Sequence, residues 1–220
     1  MPQPLRRRVQ LDFMVAKISE HPEIGAKFAQ VIAMSSLLET RLSGLLAMIS
    51  GGGAEVTLAM FLAVNSVDAQ RAMLRSAAEV ALKGPEQEAL IELLDDYRSR
   101  ARERNKIAHG IWVTSPDVAD ALLLVRSADM AAYNKEFARH AHISPLDPLP
   151  DEFHDLIWRN CMIYRVQDFD DIFSRLVAYD SQIMQFWMNM VTARQEDAAS
   201  AVQGSLPLDV PDPAHPLQEG

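Results

Sequence analysis

Residues 86–110 read EQEALIELLDDYRSRARERNKIAHG, and this stretch decides the fold class. Leu94, Tyr97, Ala101 and Ala108 fall within about 40° of Leu90 on a helical wheel. They form the buried stripe of an amphipathic helix. Lys83-Gly84-Pro85 bounds it on one side, and Gly110 is placed to take the left-handed turn that ends it. Arg104 falls inside the same stripe, about −40° from Leu90, whereas Asn105 and His109 lie on its shoulder at about +60° and +100°.

Working outward, the flanking segments are also helical. From Ile24, the apolar residues Phe28, Val31, Ile32, Leu38, Leu42, Leu45, Leu46 and Ile49 recur at three and four, and Gly51-Gly52-Gly53 stops the helix. Val56–Val64 is almost wholly apolar and predicts a short buried helix. Asn65 and Ser66 can cap the next, which runs to about Leu82 with Asp68 at its positive end. After Gly110 the pattern turns strand-like. Ile111–Thr114 and Leu122–Val125 flank Ser115-Pro116-Asp117, predicting a β-hairpin at about 111–126.

Residues 129–140 suit a further helix, the proline-rich 144–150 a connector, and 151–165 either a helix or a strand. A long stripe from Phe169 through Met190 predicts a last helix over 167–194. The expected architecture is mainly α: an antiparallel helical bundle over 24–196 with a small appended β-hairpin. A loosely structured leader, 1–23, precedes it, and a disordered tail rich in Ala, Ser, Asp and Pro, 197–220, follows.

Bulk properties narrow the function classes. The chain of 220 residues suits one well-filled core. Its single cysteine, Cys161, cannot form an internal disulfide, which fits a cytoplasmic location. The uncharged runs on either side of Glu55 fall short of the ~18 residues of a membrane span, so no membrane association is expected. A net charge of −9 repels nucleic acid globally, so any phosphate site must be a local patch. Arg98, Arg100, Arg102, Arg104 and Lys106 supply one, opposed within the run only by Glu103.

Arg104 within an apolar stripe needs an anionic partner, and Glu39, midway along the first long helix, is the carboxylate best placed to meet it. His109 sits where the helix dipole is negative while Arg102 and Arg104 oppose it, an environment suited to a proton-transfer group. Arg104, Asn105 and His109 together form an Arg, a polar residue and, after four intervening positions, a His. In this the chain resembles the HEPN family, and the resemblance spans the bundle.

That resemblance implies a metal-independent endoribonuclease without cofactors. Arg104, His109 and Asn105 would be catalytic, with Glu39 and Arg102 in support and Arg98, Lys106 and Trp112 binding substrate. It implies RNA or a nucleotide as ligand, a homodimer with the 98–109 face near its axis, and a toxin or antiphage-defence role with an antitoxin or other protein partner. The alternative is a non-catalytic interaction or nucleotide-binding module in which Arg104 and His109 are structural. Elsewhere, His140 and His142 with Asp147 make a weak metal set, and Ser50–Gly53 lacks the Gly-Lys-Ser/Thr of a phosphate loop.

Overall fold

The computed structural model describes residues 1–11, 20–51, 53–143 and 150–204. The chain divides into two compact units, Met1–Ile183 and Met184–Gly220. In the first unit, α1 (Pro22–Ser50) buries Ile24, Val31, Leu38, Leu42, Leu45, Leu46 and Ile49. It ends at Gly51, whose φ of 69° is the left-handed geometry expected of a terminating glycine. By length and composition α1 could cross a membrane, but in this fold those side chains form the core.

Next come α2 (Ala54–Ala63), α3 (Val67–Ala81) and α4 (Pro85–His109). The Ser66 hydroxyl accepts the Ala69 N–H at 3.4 Å and so caps α3. Gly84, at a φ of 56°, sets up the Pro85 start of α4. α1, α3 and α4 pack together, and Leu90, Leu94, Tyr97 and Ala101 form the buried stripe that the wheel places there.

Two expectations fail along these helices. α2 is helical but not buried: only Phe61 is enclosed, while Val56, Met60 and Leu62 are more than half exposed. One short helix against α1 has a single face to hide, so the rest of its apolar surface stays outside. At the far end of α4 it is Ile107, not Ala108, that is buried.

The hairpin β2 (Ile111–Val113) and β3 (Leu122–Val125) forms as expected. It is half of a four-stranded antiparallel sheet ordered β1-β4-β3-β2. Gln3–Pro4 is β1 and Met162–Tyr164 is β4, with Leu123 opposite Ile163 and Gln3 opposite Ile163 on its other side. The leader is therefore not loose in this part. Val9 is buried with Val113, Leu123, Val125, Ile157 and Cys161, and the Arg8 guanidinium bonds the Asp155 carboxylate at 2.8 Å. Residues 151–165 turn out to hold both alternatives, α6 (Asp151–Trp158) followed by β4. α5 (Ser127–Ile143) precedes them.

Alternation on β2 sends Ile111 and Val113 to one core and Trp112 to another. Trp112 packs against Phe28 of α1, Tyr164 of β4 and Phe169, with ring centroids 5.1–6.0 Å away. Its indole N–H donates to the Ile107 carbonyl at 3.0 Å. All four residues of β3 are buried, as a strand covered on both faces requires.

α7 (Val166–Gly204) contributes Phe169, Ile172, Leu176 and Tyr179 to this unit. The Tyr179 hydroxyl donates to the Leu93 carbonyl at 2.7 Å, and Arg41 meets Asp180 at 3.0 Å. In the second unit α7 continues to Gly204, into the segment expected to lack structure. Its alanines extend a helix already nucleated. Residues 205–220 lie outside the described residues.

Gly110 is required for a reason other than a left-handed turn. Its backbone is extended, with φ −75° and ψ 160°. A Cβ there would strike the Leu124 side chain and come within 2.7 Å of the Lys106 carbonyl. Gly110→Ala is expected to lower stability by about 1–3 kcal/mol; thermal unfolding at wild-type stability would contradict this.

Candidate functional site

The chain delivers six of the anticipated residues to one cleft of about 430 Å³ between the first turn of α3 and the second half of α4. They are Glu39, Arg98, Arg102, Arg104, Asn105 and His109. Arg98, Arg102, Asn105 and His109 follow a spacing of four, three and four, which aligns them along one face of α4. The cleft is completed by Asn65, Ser66, Val67, Asp68 and Gln70 from the α2–α3 junction.

Arg104 does meet Glu39, but loosely. The nearest nitrogen–oxygen separation is 3.8 Å, and the side chains are 27% and 33% exposed. This is a partly solvated ion pair rather than a buried tie, so the guanidinium keeps hydrogen-bonding capacity for a ligand. Beneath the pair lies Tyr97, its phenol pushed up to about 12 by burial, with Glu39 adding to the shift and Arg104 opposing it. It stays protonated through the neutral range.

Gln70 carries structure that the sequence pattern did not single out. Buried at 2% exposure, it donates from Nε2 to a Glu39 carboxylate oxygen at 2.9 Å and to the Val64 carbonyl at 2.9 Å. A polar residue on the buried face of α3, beside Leu74 and Ala78, was the available signal. Gln70→Leu leaves the Val64 carbonyl unmet and Glu39 unanchored, and is expected to cost about 1–3 kcal/mol in thermal or denaturant unfolding. An unchanged midpoint would show that this bracing contributes nothing.

The basic run divides between two sides of α4. Arg98 pairs with Asp68 at 2.9 Å on the cleft side. Arg100 turns away: it bonds Asp96 at 2.6 Å and the Arg175 carbonyl at 2.9 Å, and lies 4.8 Å over the Tyr179 ring. Lys106 is exposed and does not line the cleft. Trp112 does not line it either, since its ring is committed to the aromatic cluster and its N–H to Ile107. Neither of these two residues, for which the resemblance implies substrate binding, stands among those lining the cleft with His109.

His109 is exposed at the end of α4, and its carbonyl accepts the Ser127 hydroxyl, which ties the end of α4 to the start of α5. Among the described residues no side-chain partner holds Arg102, Asn105 or His109. Three arginines against Glu39 and Asp68 leave the cleft one positive charge in excess on an acidic protein. A cation-lined, open cleft with a free imidazole and a free amide can bind an anionic oxygen and exchange a proton with it.

Among the described residues no group of three or more His, Cys, Asp or Glu is arranged to hold a metal ion. His140 packs against Phe153, and Asp147 lies outside the described residues. Comparison with protein-family models, curated proteins and solved structures finds no match to this chain.

Proposed function

We propose that this protein is a HEPN-like, metal-independent endoribonuclease whose site is the α3–α4 cleft. The observation that carries the reading is the convergence of Arg104, Asn105 and His109 with Arg102 in one open, cation-lined cleft. Cleavage without a metal uses the 2′-OH of the RNA as nucleophile. A new bond forms from that oxygen to phosphorus, the bond to the 5′-oxygen breaks, and the products are a cyclic phosphate and a 5′-OH. One group must take the 2′ proton, another must protonate the leaving oxygen, and a cation must meet the charge on the phosphorane.

His109 is the proton-transfer group, Arg104 and Arg102 stabilise the phosphorane, and Asn105 bonds a phosphate oxygen or orients the imidazole. Arg98 extends the phosphate track, and Glu39 aims Arg104. One chain brings one imidazole, so a symmetric dimer is the economical source of a second acid–base group. A toxin or defence role, a protein partner that silences the site and a cytoplasmic setting belong to the same proposal.

A second reading draws on the Glu39–Gln70–Val64 hydrogen bonds. In it, Arg104 is a structural residue braced through Glu39, and the cleft binds a nucleotide or a partner without turnover. Incubating purified protein with mixed RNA in EDTA, beside His109→Ala, separates the two. The nuclease reading expects cleavage by wild type and none by the variant; intact RNA in both favours the binding module.

A further inference from the structure

Where α3 packs on α4, four charges alternate. Asp68 and Arg71 stand one turn apart on α3, and Asp95 and Arg98 one turn apart on α4. Arg71 bonds the Asp95 carboxylate at 2.6 Å, while Asp68 lies 2.9 Å from Arg98 and 3.9 Å from Arg71. Of the four, Asp68 and Arg98 line the cleft.

The contact between Asp68 and Arg98 is close but incomplete. The Arg98 Nε lies 2.9 Å from the carboxylate, yet its N–H is not aimed at that oxygen. Among the described residues this buried N–H has no hydrogen-bond acceptor, and neither has the Nε–H of Arg71. A buried guanidinium N–H left unmet is costly, so both arginines are set to take a further oxygen. Asp68 is 62% exposed and has room to turn between them.

A carboxylate resting on an arginine of a phosphate track competes with phosphate for it. We infer that Asp68 is a latch on the outer end of the cleft: it holds Arg98 in the free protein and swings to Arg71 when an RNA phosphate takes Arg98. Each guanidinium then gains the acceptor it lacks, a phosphate oxygen for Arg98 and the carboxylate for Arg71. This rests on the nuclease reading and narrows its substrate. Arg98 and His109 are eleven residues apart, about 16 Å along the helix, so the phosphate that opens the latch is not the one that reacts. The ligand is a strand that lays several phosphates along α4. A mononucleotide held at His109 leaves Asp68 on Arg98.

Binding can be read without cleavage on a 2′-O-methylated RNA strand of about ten nucleotides, which keeps the phosphates and lacks the attacking hydroxyl. Asp68→Asn should tighten binding of this strand to the full chain about tenfold, the size of one charge-assisted hydrogen bond released to the ligand. It should also steepen the fall of log K with log salt by about 0.7, as one further phosphate contact on a single strand requires. In an Arg98→Ala background Asp68→Asn should have no effect on either quantity. Arg71→Gln should weaken binding to the otherwise wild-type protein, because the receiving cation is gone, and leave the Asp68→Asn protein unaffected. An ion pair that only ties α3 to α4 would act differently: its loss would lower the melting temperature and tighten nothing. Wild-type binding that Asp68→Asn fails to tighten, or tightening that persists in Arg98→Ala, overturns the latch and leaves the nuclease reading to the His109→Ala assay. A strand that binds no form of the protein overturns both.

Discussion

His109→Ala is expected to cut RNA cleavage by about 10²–10⁴-fold, the usual cost of losing a general acid or base. Its thermal midpoint should stay at the wild-type value. The side chain is exposed, and the link to α5 runs through the backbone carbonyl, which alanine keeps. Arg104 should behave differently. A buried tie to Glu39 would make Arg104→Ala cost about 3–5 kcal/mol, but a solvated pair at 3.8 Å should cost about 1 kcal/mol or less. Activity should nevertheless be lost. Arg104→Lys should restore stability fully and activity poorly, because an ammonium keeps the charge without the planar fork for two phosphate oxygens. Under the structural reading, His109→Ala is silent in every assay and only the arginine variants move the melting curve.

The second large effect lies outside the cleft. Trp112→Ala should destabilise the fold by about 3–5 kcal/mol, the range for truncating a well-packed aromatic core residue. The ring joins α1 through Phe28, β4 through Tyr164 and α7 through Phe169, while its N–H satisfies the Ile107 carbonyl at the last turn of α4. Loss of that anchor should loosen the helix end that presents His109, so residual activity should fall along with the denaturant midpoint. Trp112→Phe should recover most of the stability, since it refills the cluster and forfeits only the hydrogen bond. A Trp112→Ala protein of wild-type stability that fails only in RNA binding would return Trp112 to the role of a base-stacking residue.

What was legible in the sequence was the part governed by local period and local chemistry. The stripe of α4, the glycine stop of α1, the Ser66 cap and the β2–β3 hairpin all follow from residues a few positions apart. The Glu39–Arg104 meeting was legible too, because a guanidinium in an apolar stripe demands a carboxylate from the helix opposite. The outer strands were not. Gln3–Pro4 pairs with Met162–Ile163 across most of the chain, and two-residue strands carry no period of their own.

The exposure of α2 was hidden for a related reason. Composition reports that a segment is apolar, but not whether neighbours suffice to cover it. Gln70 escaped notice because its importance lies in two hydrogen bonds to residues on another helix and in a loop. Strand alternation sends Trp112 to the helix-facing core, where its partners Phe28, Tyr164 and Phe169 come from distant parts of the chain.

The most direct measurement is the chemistry of the RNA ends left by the purified protein in EDTA. Attack by the 2′-OH, with His109 and Arg104 in the roles assigned, predicts fragments ending in a 2′,3′-cyclic phosphate and beginning with a 5′-OH, absent from the His109→Ala reaction. Intact RNA, fragments with 3′-OH and 5′-phosphate ends, or cleavage undiminished in His109→Ala would contradict the account.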